Sequence, residues 1–561
     1  MRNLAPLSAP STEFNLSPEM IAEAEAESAR EKMAGECGTL PDLDFETAQP
    51  PQADAAEPEP TPEAKAATIP SGTGDKSDND LADQYGEPLF FRELKDGGSV
   101  LSGFNERFFA GLFFRDGNIL FEPCERSFYE YNREPESGLW KPASDDHIRE
   151  ALSAQILEYG RAKGHHLESK VTTPKTGAVL QSLRGIAERR EAFTRRSDYV
   201  HVRNGVIRFR NQNRIELTGF DPADYSRNCC PVDFRPDADC PRFLNELLGP
   251  ALPPDDIDFL QRWFGLALAG INPAQRFAIL DGDAATGKST FATIVQLIIG
   301  AENCAQLRTA LLFERFEIYR FCGKSLLLAP DVPGDFLNHP AASVLKSLVG
   351  GDPLTAEAKQ SNSVFTLAGN FNVLITSNSR LRVRLDGDSG AWRRRIVIIR
   401  FEQPPPAKRI ARFAETLFAE EGPGIVRWAL AGYVAAREEI AATGDLTLTR
   451  AQQGRVDALL SESDSVRRFL ADETERASGD VSSNELTEAY FHFCADRQWT
   501  PQPARFVERN LTDLILELHG ASKCHCIRRD GRSVRGWQGV KLKARNMHES
   551  DSQPPFDYAE R

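Results

Sequence analysis

The sequence lacks several features that mark specialised protein classes. Its 561 residues contain no apolar run of the roughly 18 residues that a membrane-spanning helix needs, and the start has no secretory signal pattern. None of the ten cysteines forms a CxxC pair, and Cys524-His525-Cys526 lacks the second spaced pair of a zinc site. We therefore expect no membrane partner, free thiols rather than bound zinc, and a cytoplasmic location.

An excess of positive charge is also missing, because the formal net charge is −15. Residues 1–83 hold 18 acidic and 5 basic residues, which leaves a net charge of only −2 for the rest. The overall acidity therefore does not argue against a nucleic-acid partner. Residues 1–83 are rich in Ala, Glu, Pro, Ser and Asp, which predicts an acidic disordered tail. A solubilising leader is favoured over a docking segment for a replication partner.

One stretch of the sequence has the spacing of a phosphate-binding loop. A short apolar strand, Phe277–Leu280, is followed by Gly282-x4-Gly287-Lys288-Ser289 and by a helix that ends before Gly300. Glycines allow backbone N–H groups to face phosphate oxygens, and a helix N-terminus adds partial positive charge. The predicted nucleotide-binding residues are Gly282, Asp283, Ala284, Ala285, Thr286, Gly287, Lys288, Ser289 and Thr290.

Polar residues follow the next apolar strands. Ser325–Ala329 is followed by Pro330-Asp331, where a nucleotide hydrolase holds Mg²⁺, and Ser289 would supply the second Mg²⁺ ligand. A third strand ends at Asn378, which is suited to positioning a water molecule. The segment Trp392–Ile399 is predicted as a fourth strand. Three arginines at its start are candidates for a finger that reaches a neighbouring subunit's site: Arg393, Arg394 and Arg395.

These motifs occur in the order found in superfamily 3 helicases, and the chain resembles the helicase region of phage and plasmid primase-helicases over residues 90–545. The loop matches Walker A, Leu326–Asp331 matches Walker B, Lys346–Lys359 matches the B′ segment, and Ile375–Asn378 matches motif C. The resemblance implies an AAA+-like homo-hexamer that uses ATP and Mg²⁺ to translocate on single-stranded DNA and to open forked DNA. It also implies that Lys359, on a hairpin, contacts DNA in the ring.

Two departures from the family affect this interpretation. Walker B often carries a glutamate or an acidic pair, whereas here Asp331 follows Pro330 and the next acid is Asp335. The residues before the first domain are too few for a primase active site, so we expect a helicase without primase activity. The resemblance includes Asn204-Gly205, where a hairpin is predicted to turn, and the segments Cys240–Phe243 and Glu421–Trp428.

The C-terminal part predicts a winged-helix-like DNA-binding domain. Helices are expected at Asp464–Glu475, after a serine cap near Ser482, and from Pro503 to Leu518, followed by a two-stranded basic ribbon. A solvated basic hairpin is the alternative for the ribbon. The candidate DNA-binding residues of this part are Arg505, Arg509, Arg529 and Arg532.

The predicted fold class is α/β, with an AAA+-like P-loop ATPase core, a preceding small α/β domain and a C-terminal winged-helix-like domain. The aromatic residues of the preceding domain are expected in its core rather than against DNA bases. The predicted divisions are an acidic tail (1–83), a mixed α/β domain (84–250), the ATPase/helicase domain (251–440), a linker (441–463), the winged-helix-like domain (464–545) and a tail (546–561).

The leading hypothesis is an ATP-dependent, ring-forming DNA helicase that acts in the replication of a phage, plasmid or mobile element. An ATP-switched replication initiator without unwinding activity is the alternative, because Walker B has a single acid. A P-loop kinase or another small-molecule enzyme is a third hypothesis, which a monomeric, DNA-independent ATPase would support.

Overall fold

The computed structural model describes residues 45–47 and 78–543, except 96, 132–137, 195–197, 211–214, 315, 358–363, 386–388, 403–409, 498 and 530. The predicted acidic tail lies outside the described residues apart from strand β1 (Phe45–Thr47) and the start of helix α1 (Asp78–Tyr85), and the C-terminal tail lies outside them entirely. The chain divides into two compact units. The first comprises residues 1–334, 339–380 and 394–452, and the second comprises 335–338, 381–393 and 453–561.

The first unit begins with a small α/β region whose core is aromatic. Helix α1 begins at Asp78, before the expected start near Phe90, and its Leu81 is buried in this core. Four phenylalanines (104, 108, 109 and 128) are fully buried, which confirms a core role for them. The region contains β2 (Leu89–Glu93), β3 (Ser99–Phe104), α2 (Glu106–Asp116), β4 (Ile119–Glu122), β5 (Ser127–Tyr131), β6 (Trp140–Ala143), α3 (Asp145–Ala162) and α4 (Thr173–Ile186).

A second sheet follows, with the order β1-β9-β8-β7. Strands β7 (Tyr199–Val202) and β8 (Gly205–Phe209) form an antiparallel hairpin, which confirms the predicted turn at Asn204-Gly205. Strand β9 (Ile215–Thr218) pairs antiparallel with β8 and parallel with β1. Beyond it lie a π-helical segment (Phe243–Leu248), a helical turn (Gly249–Ala251) and helix α5 (Pro254–Ala269).

The centre of the first unit is a five-stranded parallel sheet with the order β11-β12-β15-β10-β16. In chain order this is 2-3-4-1-5, which differs from both the Rossmann and the flavodoxin-like orders. The elements of this region are β10 (Phe277–Gly282), α6 (Lys288–Ile299), β11 (Cys304–Gln306), β12 (Leu326–Ala329), α7 (Ala342–Gly350), β13 (Pro353–Glu357), β14 (Val364–Ala368), β15 (Asn372–Ser377), β16 (Ile396–Phe401) and α9 (Phe413–Thr443). Helix α8 (Ser389–Arg395) starts in the second unit and ends in the first, directly before β16.

The prediction of a strand beginning at Trp392 is wrong for its first four residues. Residues Ser389–Arg395 form helix α8, and the strand starts at Ile396. Trp392 is almost fully buried, and its indole N–H donates a hydrogen bond to the Arg384 carbonyl. Burial of this side chain fixes the helical turn, whereas only the apolar run from Ile396 has strand character.

The second unit is built around an antiparallel sheet with the order β17-β19-β18. The predicted two-stranded ribbon has a third strand, because Thr474–Ser482 pairs with β19 instead of extending the preceding helix. Ser482 forms a capping box with Glu485, which confirms the predicted serine cap. The elements are α10 (Arg450–Ser463, which starts in the first unit), α11 (Ser465–Glu473), β17 (Thr474–Ser482), α12 (Ser483–Asp496), α13 (Ala504–His519), β18 (Lys523–Arg529) and β19 (Arg532–Leu542).

The predicted linker, 441–463, consists largely of helix α10 together with the end of α9, and the boundary between the two units falls within it, after residue 452. One further expectation is corrected. Cys524 and Cys526 are joined by a disulfide rather than being free thiols, since residues two apart on a strand point to the same side. The other cysteines of the described part of the chain are free.

Two absences concern the described residues alone. None of their helices is long and apolar enough to cross a membrane. They also contain no cluster of three or more His, Cys, Asp or Glu residues that could hold a metal ion.

Helices α5 and α9 pack closely against each other at two glycine residues. A Cβ atom on Gly432 would lie 2.1 Å from the Gln261 carbonyl oxygen, and one on Gly265 would lie 2.3 Å from the Tyr433 nitrogen. Both distances are to backbone atoms, which cannot move aside as a flexible side chain can. The close approach of these two helices therefore depends on the absence of side chains at both positions.

We expect Gly432→Ala to destabilise the first unit by about 3 kcal/mol, because the added methyl group overpacks a backbone contact. Urea unfolding followed by tryptophan fluorescence measures this, since Trp263 and Trp428 lie on the two helices. Gly177→Ala in α4 is the control: its Cβ meets nothing within 4 Å. That variant should be up to about 1 kcal/mol more stable than the wild type. Equal effects of the two substitutions would contradict the packing argument.

Candidate nucleotide site

The loop between β10 and α6 has the backbone geometry of an anion-binding turn. Gly282, Ala285 and Gly287 have φ angles of 139°, 68° and 106°. A Cβ atom on Gly282 would lie 2.4 Å from the Phe401 carbonyl oxygen, so this position requires glycine. The helix begins at Lys288 and ends before Gly300, in agreement with the sequence prediction. Its N-terminus, with unpaired N–H groups and partial positive charge, therefore faces the loop.

Lys288 is held inside this loop. Its Nζ atom donates hydrogen bonds to the carbonyl oxygens of Gly282, at 2.8 Å, and Asp283, at 2.5 Å. The residue is only 3% exposed. Burial lowers the pKa of Lys288, and nearby carboxylates, including those of Asp281 and Asp331, oppose this shift. The loop therefore holds a poorly hydrated ammonium group, whose attraction for an anion is stronger than it would be in water.

Asp331 and Asn378 come together at the carboxyl edge of the sheet. The Asn378 side-chain amide donates a hydrogen bond to Asp331 Oδ1 at 2.5 Å, and the Asp331 N–H donates to Thr376 Oγ1 at 2.8 Å. Asp331 has a φ angle of 47°, a left-handed conformation that is uncommon for a residue with a side chain. Because β15 lies between β12 and β10, the two polar side chains lie beside the loop that holds Lys288.

A cavity of about 410 Å³ joins these groups. One part is lined by loop residues Ala284–Thr290 together with Asp331 and Asn378. The other part is mostly apolar, and sequence reasoning missed its lining residues because they come from segments on either side of the predicted motifs. They are Glu246, Leu247, Pro250, Ala251, Ile410 and Phe413. The cavity therefore combines apolar side chains with a few polar groups, which is the usual composition of a small-molecule site.

Asp281 and Arg400 form a further charged pair next to the loop. They are directly opposite each other on β10 and β16, and Arg400 Nε lies 3.6 Å from Asp281 Oδ2. Burial raises the pKa of Asp281, and the Arg400 guanidinium opposes this. Asp281 also contributes to the field at Lys288. The predicted strand ended at Leu280, whereas β10 continues to Gly282, so the sequence analysis gave Asp281 no role and did not identify the pair.

The three candidate arginines have different environments. Arg393 forms an ion pair with Asp457 at 2.9 Å. Arg395 is 7% exposed and lies under α7, where a Cβ atom on Gly350 would be 3.0 Å from its guanidinium. Arg394 is exposed. None of the three is among the described residues that line the cavity.

Two family models match the chain, and each match includes residues that line the cavity. Residues 113–249 match the D5 N terminal like family. Residues 280–395 match a family of unknown function, DUF5906. The first match includes Glu246 and Leu247, which line the mostly apolar part of the cavity, and the second contains Lys288, Asp331 and Asn378. No curated protein matches the chain.

Solved structures of the NrS-1 C-terminal region, in apo forms, are distantly similar to the chain. An A form covers 77% of this chain and 98% of its own, with 11% identity and a TM-score of 0.41. A second apo structure covers 77% and 99%, with 11% identity and a TM-score of 0.42.

The structure separates the candidate DNA-binding residues. Lys359 lies outside the described residues, in the part of the sequence between β13 and β14. Arg505 and Arg509 are exposed one turn apart on α13, and Arg532 is exposed at the start of β19. Arg529 differs, because its guanidinium pairs with Glu485 at 2.6 Å and with Asp480 at 2.9 Å. These contacts indicate that Arg529 joins β18 to the start of α12.

We expect the stabilisation from Glu485 to be lost in acid. The pKa of Glu485 is lowered from 4.5 to about 2, mainly by the hydrogen bond from Arg529. Because the folded-state pKa is depressed, the ionised group stabilises the fold fully above pH 4.5 and progressively less as the pH falls toward 2. Glu485→Gln should therefore be less stable than the wild type at pH 7, and the difference should shrink below pH 4.5.

Amide exchange of residues 474–529 under urea, from pH 7 to pH 3, measures this difference. Glu488→Gln is the matched control, because Glu488 is an exposed acid on the same helix. A Glu485→Gln effect that stays constant with pH would show that the ion pair contributes nothing through its charge.

Proposed function

We propose that the chain is an ATP-dependent, ring-forming DNA helicase that acts in replication of a phage, plasmid or mobile element. The observation that carries the proposal is the meeting of Lys288, Asp331 and Asn378 around one cavity. Support also comes from the match to the D5 N terminal like family and from the ordered motifs that resemble superfamily 3 helicases. On this proposal the parallel sheet is an AAA+-like P-loop core and the second unit is a winged-helix-like domain.

The cavity suits a nucleoside triphosphate with Mg²⁺. The loop N–H groups and Lys288 bind the β- and γ-phosphates. Ser289 and Asp331 supply a hydroxyl and a carboxylate oxygen, which are the hard ligands that Mg²⁺ prefers. Asn378 donates its hydrogen bond to one carboxylate oxygen of Asp331. Mg²⁺ held by Ser289 and Asp331 would neutralise charge that develops on the phosphates.

Hydrolysis requires an oriented water molecule. The water oxygen attacks the γ-phosphorus while the bond to the β,γ-bridging oxygen breaks, which yields ADP and inorganic phosphate. Asn378, fixed by its hydrogen bond to Asp331, positions this water. Among the described residues that line the cavity, the acids are Asp331 and Glu246. Glu246 belongs to the mostly apolar part of the lining and pairs with Arg242 at 2.8 Å, so Asp331 is our candidate for polarising the water.

Lys288→Ala should lower ATP turnover at least about 100-fold, because it removes a charge placed to stabilise the transition state. Lys141→Ala is the control, since Lys141 is an exposed lysine on β6. A phosphate-release assay with single-stranded DNA measures turnover. Undiminished turnover in Lys288→Ala would refute the proposed site.

Strand displacement on a forked duplex tests the helicase activity itself. The wild type should separate the strands with ATP, and Lys288→Ala should not. Rings that form on DNA without displacing a strand would favour the ATP-switched initiator, whose basis is the single acid at Asp331. Turnover by a monomer without DNA would favour a small-molecule enzyme.

Of the three arginines, Arg394 is our candidate for the finger. Arg393 is paired with Asp457, and Arg395 is buried against α7. Arg394 is exposed and makes no ion pair among the residues that the structure describes. Arg393 is also exposed, but its guanidinium is paired with Asp457, so the Arg394 guanidinium is the better candidate to reach a neighbouring subunit's nucleotide.

Arg394→Ala should lower turnover about 1,000-fold, because an arginine finger contributes this much to phosphoryl transfer. Mixing Arg394→Ala with Lys288→Ala should restore roughly a quarter of the activity, since random head-to-tail rings regain intact interfaces. Arg393→Ala is the control and should retain its turnover. Mixtures that remain inactive would contradict a site shared between subunits.

A further inference from the structure

Two sequence segments outside the phosphate loop meet in the fold. Glu421, near the middle of the first half of α9, is 8% exposed. Its Oε1 atom accepts a hydrogen bond from the Arg242 N–H at 2.9 Å, and its Oε2 atom accepts one from the Phe243 N–H at 2.8 Å. The carboxylate therefore satisfies two N–H groups at the start of the π-helical segment, which have no partner within the helix itself.

The two segments are closely packed beyond this carboxylate. A Cβ atom on Gly424 would lie 2.1 Å from the Asp239 carbonyl oxygen. Arg427 pairs with the Asp239 carboxylate at 2.8 Å, and the Trp428 ring meets the Phe243 ring edge-on at 5.2 Å between centroids. The position of the π-helical segment is thus set by α9.

Two residues of this segment, Glu246 and Leu247, belong to the mostly apolar part of the cavity lining. Leu247 lines the cavity, and a Cβ atom on Gly287 of the phosphate loop would lie 3.3 Å from Leu247 Cδ1. Phe243 lies against Phe291 of α6, with ring centroids 6.4 Å apart. The segment therefore contacts both the loop and the helix that follows it. Irregular π-helical turns are found frequently at functional sites.

We propose that Glu421 is a positioning residue for nucleotide binding, which holds the Phe243–Leu248 wall against the nucleoside end of the cavity. The proposal rests on the proposed nucleotide-hydrolysing function. Glu421 is not among the residues that line the cavity, so it acts through Leu247 and its neighbours. On this proposal the apolar side chains of the wall contact the nucleoside, so loss of the wall weakens binding more than it slows the chemical step.

Glu421→Gln keeps one acceptor oxygen but places an amide N–H₂ against the second backbone N–H. We expect the KM for ATP to rise roughly ten-fold, since a hydrogen bond to a charged group is lost. The kcat should stay within about two-fold of the wild type. Steady-state turnover over a range of ATP concentrations measures both constants.

Glu420→Gln is the matched control. Glu420 is the adjacent acid on the same helix, its side chain is 53% exposed, and it pairs with the Arg242 side chain rather than with backbone groups. Its removal changes the charge equally and should move KM less than about two-fold, as expected for a surface ion pair. Equal KM changes in the two variants would overturn the proposal.

A double variant tests the route of the effect. In a Leu247→Ala background the KM is already raised, and Glu421→Gln should raise it little further, because both changes act on one wall. Additive increases would show that Glu421 acts elsewhere. A variant with unchanged KM and reduced kcat or stability would assign Glu421 a purely structural role.

Amide exchange of the wild type gives a test that does not depend on any variant folding. Added ADP should slow exchange across residues 242–248, and unchanged exchange there with ADP bound would overturn the proposal. Failure of the proposed function has a different signature. A wild type that neither binds ADP nor hydrolyses ATP would refute the nucleotide site itself.

Discussion

The proposed nucleotide site depends on the parallel direction of five neighbouring strands. Parallel strands end at the same edge of a sheet, so the residues that follow them are brought together from distant parts of the chain. Gly282, Asp331 and Asn378 are neighbours because β10, β12 and β15 all run toward this edge. An antiparallel β12 would have placed Asp331 at the opposite edge. Strand order and direction therefore determine which side chains meet at the site.

Much of this arrangement could be predicted, because it is encoded in local patterns. The phosphate loop has a fixed spacing, the apolar runs before Asp331 and Asn378 are too short for helices, and Ser482 stands three residues before Glu485. Each of these patterns depends on backbone geometry within a few residues. The same is true of the turn at Asn204-Gly205, where φ of Gly205 is 153°.

The apolar wall could not be predicted, because nothing local distinguishes its residues from core residues. Leu247 and Phe413 are separated by the whole central sheet in the sequence, and only the tertiary fold brings them to one cavity. Strand β17 was missed for a related reason. Its residues Thr474–Ser482 are largely polar and exposed, and they become a strand by pairing with β19.

The three adjacent arginines lie in different environments in the fold, which the sequence pattern does not indicate. As a strand, residues 393 and 395 would point to one side and residue 394 to the other. In helix α8 consecutive side chains instead point about 100° apart, so three adjacent guanidinium groups enter three environments. Arg393 is paired with Asp457, Arg395 is buried, and Arg394 is exposed.

Helix α9 spans 31 residues, which corresponds to a length of about 46 Å at 1.5 Å per residue. Its first residue, Phe413, lines the cavity, and just beyond its last turn Asp445 binds the Arg276 side chain at 2.6 Å, one residue before β10 begins. Phe413 in the first turn of α9 and Asp445 just beyond its last turn therefore lie near opposite ends of the loop-bearing strand. Pro423 lies inside the helix between them and cannot donate the backbone hydrogen bond of a regular turn, so α9 has a built-in point of bending between the cavity and the start of β10.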